Sequence, residues 1–196
     1  MKYPKGVKLN ISNIKTDKIS YSNRGMELEK EINISNEYYR NNNIAFIYKK
    51  PTPIKVVDVD YPSRKEAIIK KAYFEKPSTT DYNGIYKGKY IDFEAKETLN
   101  TTSFPLANIH KHQIEHIRNI INQAGICFLI VRFVRCNITY LLKGEDFIDF
   151  VDHNKRKSIP INFFKEKAYV IKDEYLPRIN YIKIIDEVYG GALNAK

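Results

Sequence analysis

Cysteine is scarce in this chain of 196 residues. Cys127 and Cys136 each sit in an apolar, strand-like stretch, and the pair lacks the spacing of a zinc site, so both read as buried free thiols. No apolar run approaches the ~20 residues that a membrane-spanning helix needs. The opening MKYPKGVKLN lacks the apolar stretch of a secretory signal, which makes the cytoplasm the expected location. Nor does any internal repeat divide the chain, so a single domain is expected. Acidic residues are in deficit: 23 Asp and Glu stand against 33 Lys and Arg, for a net charge of +10 and a pI near 9.4. Such an excess favours a polyanionic partner through counterion release. A lysine-biased composition, with Asn, Ile and Tyr also abundant, is the competing explanation. The hydrophobic share of 43% and the charged share of 29% fit a folded globular chain.

Residues 1–20 carry few core signals and read as a flexible basic arm. Ser22 or Asn23 can cap a helix from about Gly25 to Asn41, with Leu28, Ile32 and Tyr39 at near-helical spacing. "IAFIYKK" (44–50) is a strand candidate. Residues 51–77 are punctuated by Pro51, Pro53, Pro62 and Pro77 and form an insertion between strands. Within it "IKVVDVDY" is extended, and "SRKEAIIKKAYF" has Ser63 and Glu66 at capping-box spacing, which predicts a short helix. Lys65, Lys70, Lys71, Lys76 and Arg64 make the insertion basic, and long insertions in compact domains often carry function. A hairpin (about 79–97), a helix (about 108–123), strands over 125–133 and 137–143, a helix from Gly144, a basic loop at 155–157 and an amphipathic helix over 177–189 follow. Strands interleaved with helices predict an α/β domain with a mixed sheet.

The hairpin carries the chemistry. With Lys87-Gly88 at the turn, paired positions place Tyr86 opposite Lys89, Asp81 opposite Glu94 and Thr79 opposite Lys96. Alternation puts Tyr90, Asp92, Glu94 and Lys96 on one face and Ile91, Phe93 and Ala95 on the other. Opposed carboxylates destabilise a sheet unless a cation compensates them. A divalent ion does so, and carboxylates are the hard oxygen donors that Mg²⁺ prefers, with Mn²⁺ as a substitute. A solvated polar face without metal is the alternative. On the next helix Ile109, Gln113, Ile117 and Ile121 fall four apart, so Gln113 interrupts an apolar stripe and points towards the sheet, where its amide could reach a metal site. A satisfied buried glutamine has the same pattern. "HQIEH" (112–116) matches the H-x-x-E-H of inverted zinc proteases, with Glu187 as a conceivable third ligand. Such proteases need a larger scaffold and no positive field, so this reading is set aside.

Taken together, the stretches "YSNRGMELE" (21–29), "KKPTP" (49–53), "YPSRKEAIIKKAYF" (61–74), "STTDYNGIYKGKYIDFEAKET" (78–98), "TSFPLANIHKHQIEH" (102–116) and "PRINYI" (177–182) resemble the RecU Holliday-junction resolvases over nearly the whole chain. The resemblance implies a restriction-endonuclease-like fold, a mixed central sheet flanked by helices with a projecting basic stalk, and the PD-(D/E)XK nuclease site. It maps the catalytic acids onto Asp81 and Glu94 and the lysine onto Lys96, adds Thr79 and Gln113 to the metal site, and makes Glu29 a weaker member. The proline of that motif is not beside Asp81, which follows "STT" instead, a feature that RecU-like members share. The insertion becomes the stalk that enters the open centre of a four-way junction. A homodimer is implied, as is work alongside a strand-exchange recombinase or branch-migration motor. The expected reaction is Mg²⁺-assisted hydrolysis of a DNA phosphodiester leaving a 5′-phosphate, with Lys96 at the phosphate or the attacking water. A base role for Lys96 would require a depressed pKa. Arg24, Lys87 and Lys89, with Arg64, Lys65, Lys70 and Lys71 of the stalk, are expected to contact backbone phosphates, leaving selectivity to junction shape. The alternatives are a less selective nuclease of the same fold and a non-catalytic junction-binding protein.

Overall fold

The computed structural model describes residues 26–63, 65–75 and 79–194. The expected basic arm, the cap at Ser22 or Asn23, and Arg24, Arg64 and Lys76 lie outside these residues.

Helix α1 (Met26–Asn41) opens with Glu27 and Glu29 and closes with Arg40, charges that suit its dipole. Its Leu28, Ile32 and Tyr39 stripe is fully buried, as the spacing predicts. Six strands form the central sheet: β1 (Phe46–Lys49), β4 (Tyr82–Tyr86), β5 (Lys89–Thr98), β7 (Ile126–Phe133), β8 (Ile138–Lys143) and β10 (Tyr169–Ile171), in that spatial order. Neighbours run antiparallel except β5 and β7, which are parallel. A parallel pair needs a long crossover, and here it contains helix α2 (Lys111–Asn122).

The crossover covers one face of the sheet. On that side α2 packs with α3 (Gly144–His153) and α4 (Ile161–Lys167) through Ile117, Phe147 and Phe164, over Leu129 and Val131. On the other side α1 and the C-terminal helix α5 (Tyr181–Asn194) bury Ile91, Phe93 and Phe128. Phe93 stacks between Tyr82 and Phe128, with ring centroids 4.8 and 4.7 Å away. Central strands covered on both faces read as near-continuous apolar runs, which is why "GICFLIVRF" stood out. Two short strands, β6 (Ser103–Pro105) and β9 (Ser158–Pro160), pair beside this core.

Three boundaries differ from expectation. The predicted helix over 63–74 is instead strand β3 (Ile68–Phe74), paired antiparallel with β2 (Ile54–Asp60). Ser63 and Glu66 do bond, Oγ to Oε2 at 3.0 Å, but they close a turn rather than open a helix. Ile68, Ile69, Tyr73 and Phe74 then favour extended chain, and β2 supplies the backbone partners. Every residue of β2 and β3 is exposed, so the insertion is a two-stranded ribbon standing off the body. A 3-10 turn, Leu106–Asn108, precedes α2, and α5 begins at Tyr181 rather than Pro177.

Candidate active site

The β4–β5 hairpin has the register that its turn predicts. Lys87 (φ 46°) and Gly88 (φ 76°) occupy left-handed backbone, the requirement of a two-residue turn that suits sheet twist. Tyr86 pairs with Lys89 and Tyr82 with Phe93, so Asp81, one residue before β4, arrives beside Glu94. The backbone N–H of Asp81 donates to Glu94 Oε2 at 3.1 Å.

The even-numbered face of β5 is solvated at its ends, at Tyr90 and Lys96, but not in its middle. Helix α2 covers it, and Asp92 and Glu94 are both 0% exposed. Gln113 is buried as its place in the stripe predicts, donating through Nε2 to Glu94 Oε1 at 2.8 Å while its Oε1 accepts the His110 N–H at 2.9 Å. The opposed acids are compensated by Lys96. Its Nζ contacts Glu94 Oε1 and lies 3.2 Å from Asp81 Oδ2, so both carboxylates converge on one positive charge.

Burial pushes the Glu94 carboxyl up to about 7, with Lys96 drawing it back down and Asp81 adding to the rise. Burial pulls Lys96 downward, but the Glu94 and Asp81 carboxylates outweigh it and the net direction is up. In the metal-free protein the two carboxylates thus favour the Lys96 ammonium, the opposite of the depression that a proton-accepting role requires.

The other expected residues distribute around this centre. Thr79 turns its hydroxyl to the Thr80 carbonyl at 3.3 Å and lines, with Glu29, Lys49, Lys50, Thr80 and Asp81, an open cleft of about 290 Å³. Glu29 ion-pairs with Lys49 across that cleft. Lys87 pairs with Asp186 of α5 at 2.7 Å, so part of its charge serves to fasten the hairpin turn. Lys89 lies on β5 just past that turn, Lys70 pairs with Asp60 within the ribbon at 2.9 Å, and Lys65 and Lys71 are exposed. His116 bonds Asp92, while Glu187 lies on α5 across the sheet from α2. With the conceivable third ligand on the far side of the sheet and His116 bonded to Asp92, the zinc-protease pattern is not assembled.

Sequence reasoning gave no role to Asp92, Lys50 or Thr80, and read His116 only within the zinc-protease pattern. They form a cluster beside Glu94 in which Asp92 and Thr80 are buried and Lys50 and His116 are half-buried. The signals were present: alternation put Asp92 on the face of Glu94, and His116 follows Gln113 by one helical turn.

The donor set fits a divalent cation. Asp81 and Glu94 present hard carboxylate oxygens to a common point, and burial raises the Glu94 carboxyl even with the Lys96 ammonium beside it.

The family model for Recombination protein U matches residues 23–187. The chain is 50% identical to the Holliday junction resolvase RecU of Pediococcus pentosaceus, covering 95% of this chain and 96% of that protein. It is 53% identical to the one from a Geobacillus species over 87% of this chain and 86% of that protein. For that of Bacillus cytotoxicus the figures are 50%, 96% and 98%.

Proposed function

The chain belongs to the RecU family of recombination proteins, and from that premise we propose that it is an endodeoxyribonuclease that resolves four-way DNA junctions in recombination and repair. The observation that carries the reading is the meeting of Asp81 and Glu94 on one ammonium beside the hairpin. Relatives sharing half of its residues along nearly their full length are named Holliday junction resolvases.

Asp81 and Glu94 would hold Mg²⁺, or Mn²⁺ in its place, and the bound ion supplies Lewis-acid polarisation of the scissile phosphate and activation of water. The chain does the rest. Gln113 and the Asp81 N–H fix the two Glu94 oxygens, so the acid is presented in one orientation. Lys96, as an ammonium, is placed to stabilise negative charge developing on the phosphate. The product carries a 5′-phosphate. A C₂ homodimer suits the substrate, because a four-way junction has two-fold symmetry and two opposed strands must be nicked. The setting is cytoplasmic, alongside a strand-exchange recombinase or branch-migration motor. Among the described residues no helix is long and apolar enough to cross a membrane.

A labelled mobile junction incubated with the protein should be cut symmetrically with Mg²⁺ and left whole with chelator. Cutting of a linear duplex at the same rate would overturn the selectivity. The ribbon provides a second test. Exchanging both Lys70 and Lys71 for Glu should weaken junction binding by about tenfold, lower the slope of log K against log salt by about two, and leave linear-duplex binding nearly unchanged. Equal losses on both DNAs would reject the ribbon as a junction probe.

A further inference from the structure

Asp92 is as deeply buried as Glu94, two residues away on the same face of β5, and the hydrolysis described above leaves it without a task. Both of its carboxylate oxygens are engaged. Oδ1 accepts the Thr80 hydroxyl, and Oδ2 accepts the Lys50 ammonium at 2.8 Å, the Tyr90 hydroxyl at 2.9 Å and lies 3.2 Å from His116 Nε2. With both oxygens engaged and the side chain closed to solvent, this carboxylate acts on its neighbours.

What it gathers are three chain segments. Lys50 is the last residue before Pro51, where the chain leaves β1 for the exposed ribbon. The Lys50 backbone N–H donates to the Asp81 carbonyl at 2.8 Å, and its ammonium also reaches Thr80 Oγ1 at 3.1 Å. Thr80 immediately precedes Asp81. Asp81 itself stands outside β4, so its backbone depends on the bond to Lys50 and the bond to Glu94. The root of the ribbon, the Asp81 segment and the strand bearing Glu94 are thus tied at one buried carboxylate.

We propose that Asp92, through Thr80 and Lys50, is a positioning residue that sets Asp81 against Glu94 and joins the ribbon's root to the spacing of those two acids. The inference rests on the nuclease reading. DNA held by the ribbon then acts on the same knot that places Asp81, so binding at one end bears on cleavage at the other.

The Thr80 hydroxyl gives the cleanest test. Thr80→Val keeps the shape and deletes the donor; Thr80→Ser keeps the donor and deletes a methyl. Lys50→Met deletes the ammonium and keeps the stem. Each variant is followed by thermal unfolding with and without Mg²⁺, by junction affinity in chelator, and by single-turnover cleavage at saturating protein. Thr80→Val and Lys50→Met should bind the junction nearly as wild type does, cleave it about 10–100-fold more slowly, and need about tenfold more Mg²⁺ for the same rise in melting temperature. Thr80→Ser should restore both the rate and the Mg²⁺ response. If Lys50→Met does not fold, the Thr80 pair carries the test unaided. Cleavage and Mg²⁺ response at wild-type level in Thr80→Val overturn the proposal, as does a Thr80→Ser as impaired as Thr80→Val. A wild-type protein that neither cuts the junction nor gains stability from Mg²⁺ overturns the nuclease reading instead, a result visible before any variant is compared.

Discussion

Replacing Glu94 with Gln, or Asp81 with Asn, is expected to reduce junction cleavage at least about 10³-fold, since losing a metal ligand forfeits several kcal/mol of transition-state stabilisation at 1.36 kcal/mol per tenfold. Binding should survive. Glu94→Gln keeps one oxygen to accept the Asp81 N–H, while its new NH2 meets the Gln113 amide and the Lys96 ammonium, a local cost in stability rather than in DNA contacts. Asp81→Asn removes one negative charge and Glu94→Gln at most one from a protein of net charge +10, which favours a polyanion slightly. A loss of binding in these variants would therefore have no electrostatic cause and would point to unfolding, which a melting curve reports. The comparison pairs single-turnover cleavage of a labelled four-way junction with affinity for the same junction in chelator. Cutting at wild-type rate by either variant would sink the assignment of these acids.

The hairpin was legible because its signals are local. A Lys-Gly turn and strict alternation set the register, and with it the meeting of Asp81 and Glu94. Gln113 was legible for the same reason, as the polar member of an apolar stripe. Strand β3 was not, because Ser63 and Glu66 at three-residue spacing describe a capped helix and a closed turn equally well, and pairing with β2 decides. Asp92 shows the wider difficulty. Its face could be read, but its donors come from the end of β1, from Thr80 and from α2, segments that only the folded chain brings together. The ion pair of Lys87 with Asp186 is likewise set by packing of α5 against the hairpin, across 99 residues of sequence. Strands of three residues such as β6, β9 and β10 are too short to show any period. The family resemblance supplied what local pattern lacked, since an acid-x-lysine triplet alone is too common to mark a site.

Lys96→Met should abolish cleavage and also destabilise the metal-free protein by about 3 kcal/mol, for removing one partner of a buried ion pair strands the other. Glu94 is fully buried and faces Asp81, and in the folded chain the Lys96 ammonium is what both carboxylates touch. Without it Glu94, already raised to about 7 beside the ammonium, must either face Asp81 as a like charge or take up a proton to fold. Two further measurements separate this cause from simple loss of packing. Combining Lys96→Met with Glu94→Gln removes the stranded charge, so the double variant should recover about 2 kcal/mol relative to the sum of the single changes, a coupling within the range seen for residues in contact. Adding Mg²⁺ should raise the unfolding midpoint of Lys96→Met more than that of wild type, because a divalent ion can take over the compensation that the ammonium provided. Urea unfolding in chelator and in Mg²⁺ gives all of these values. A double variant no more stable than the two single losses predict, together with equal Mg²⁺ responses, would mean that Lys96 packs beside the acids without neutralising them, and the chemistry built on their convergence would go with it.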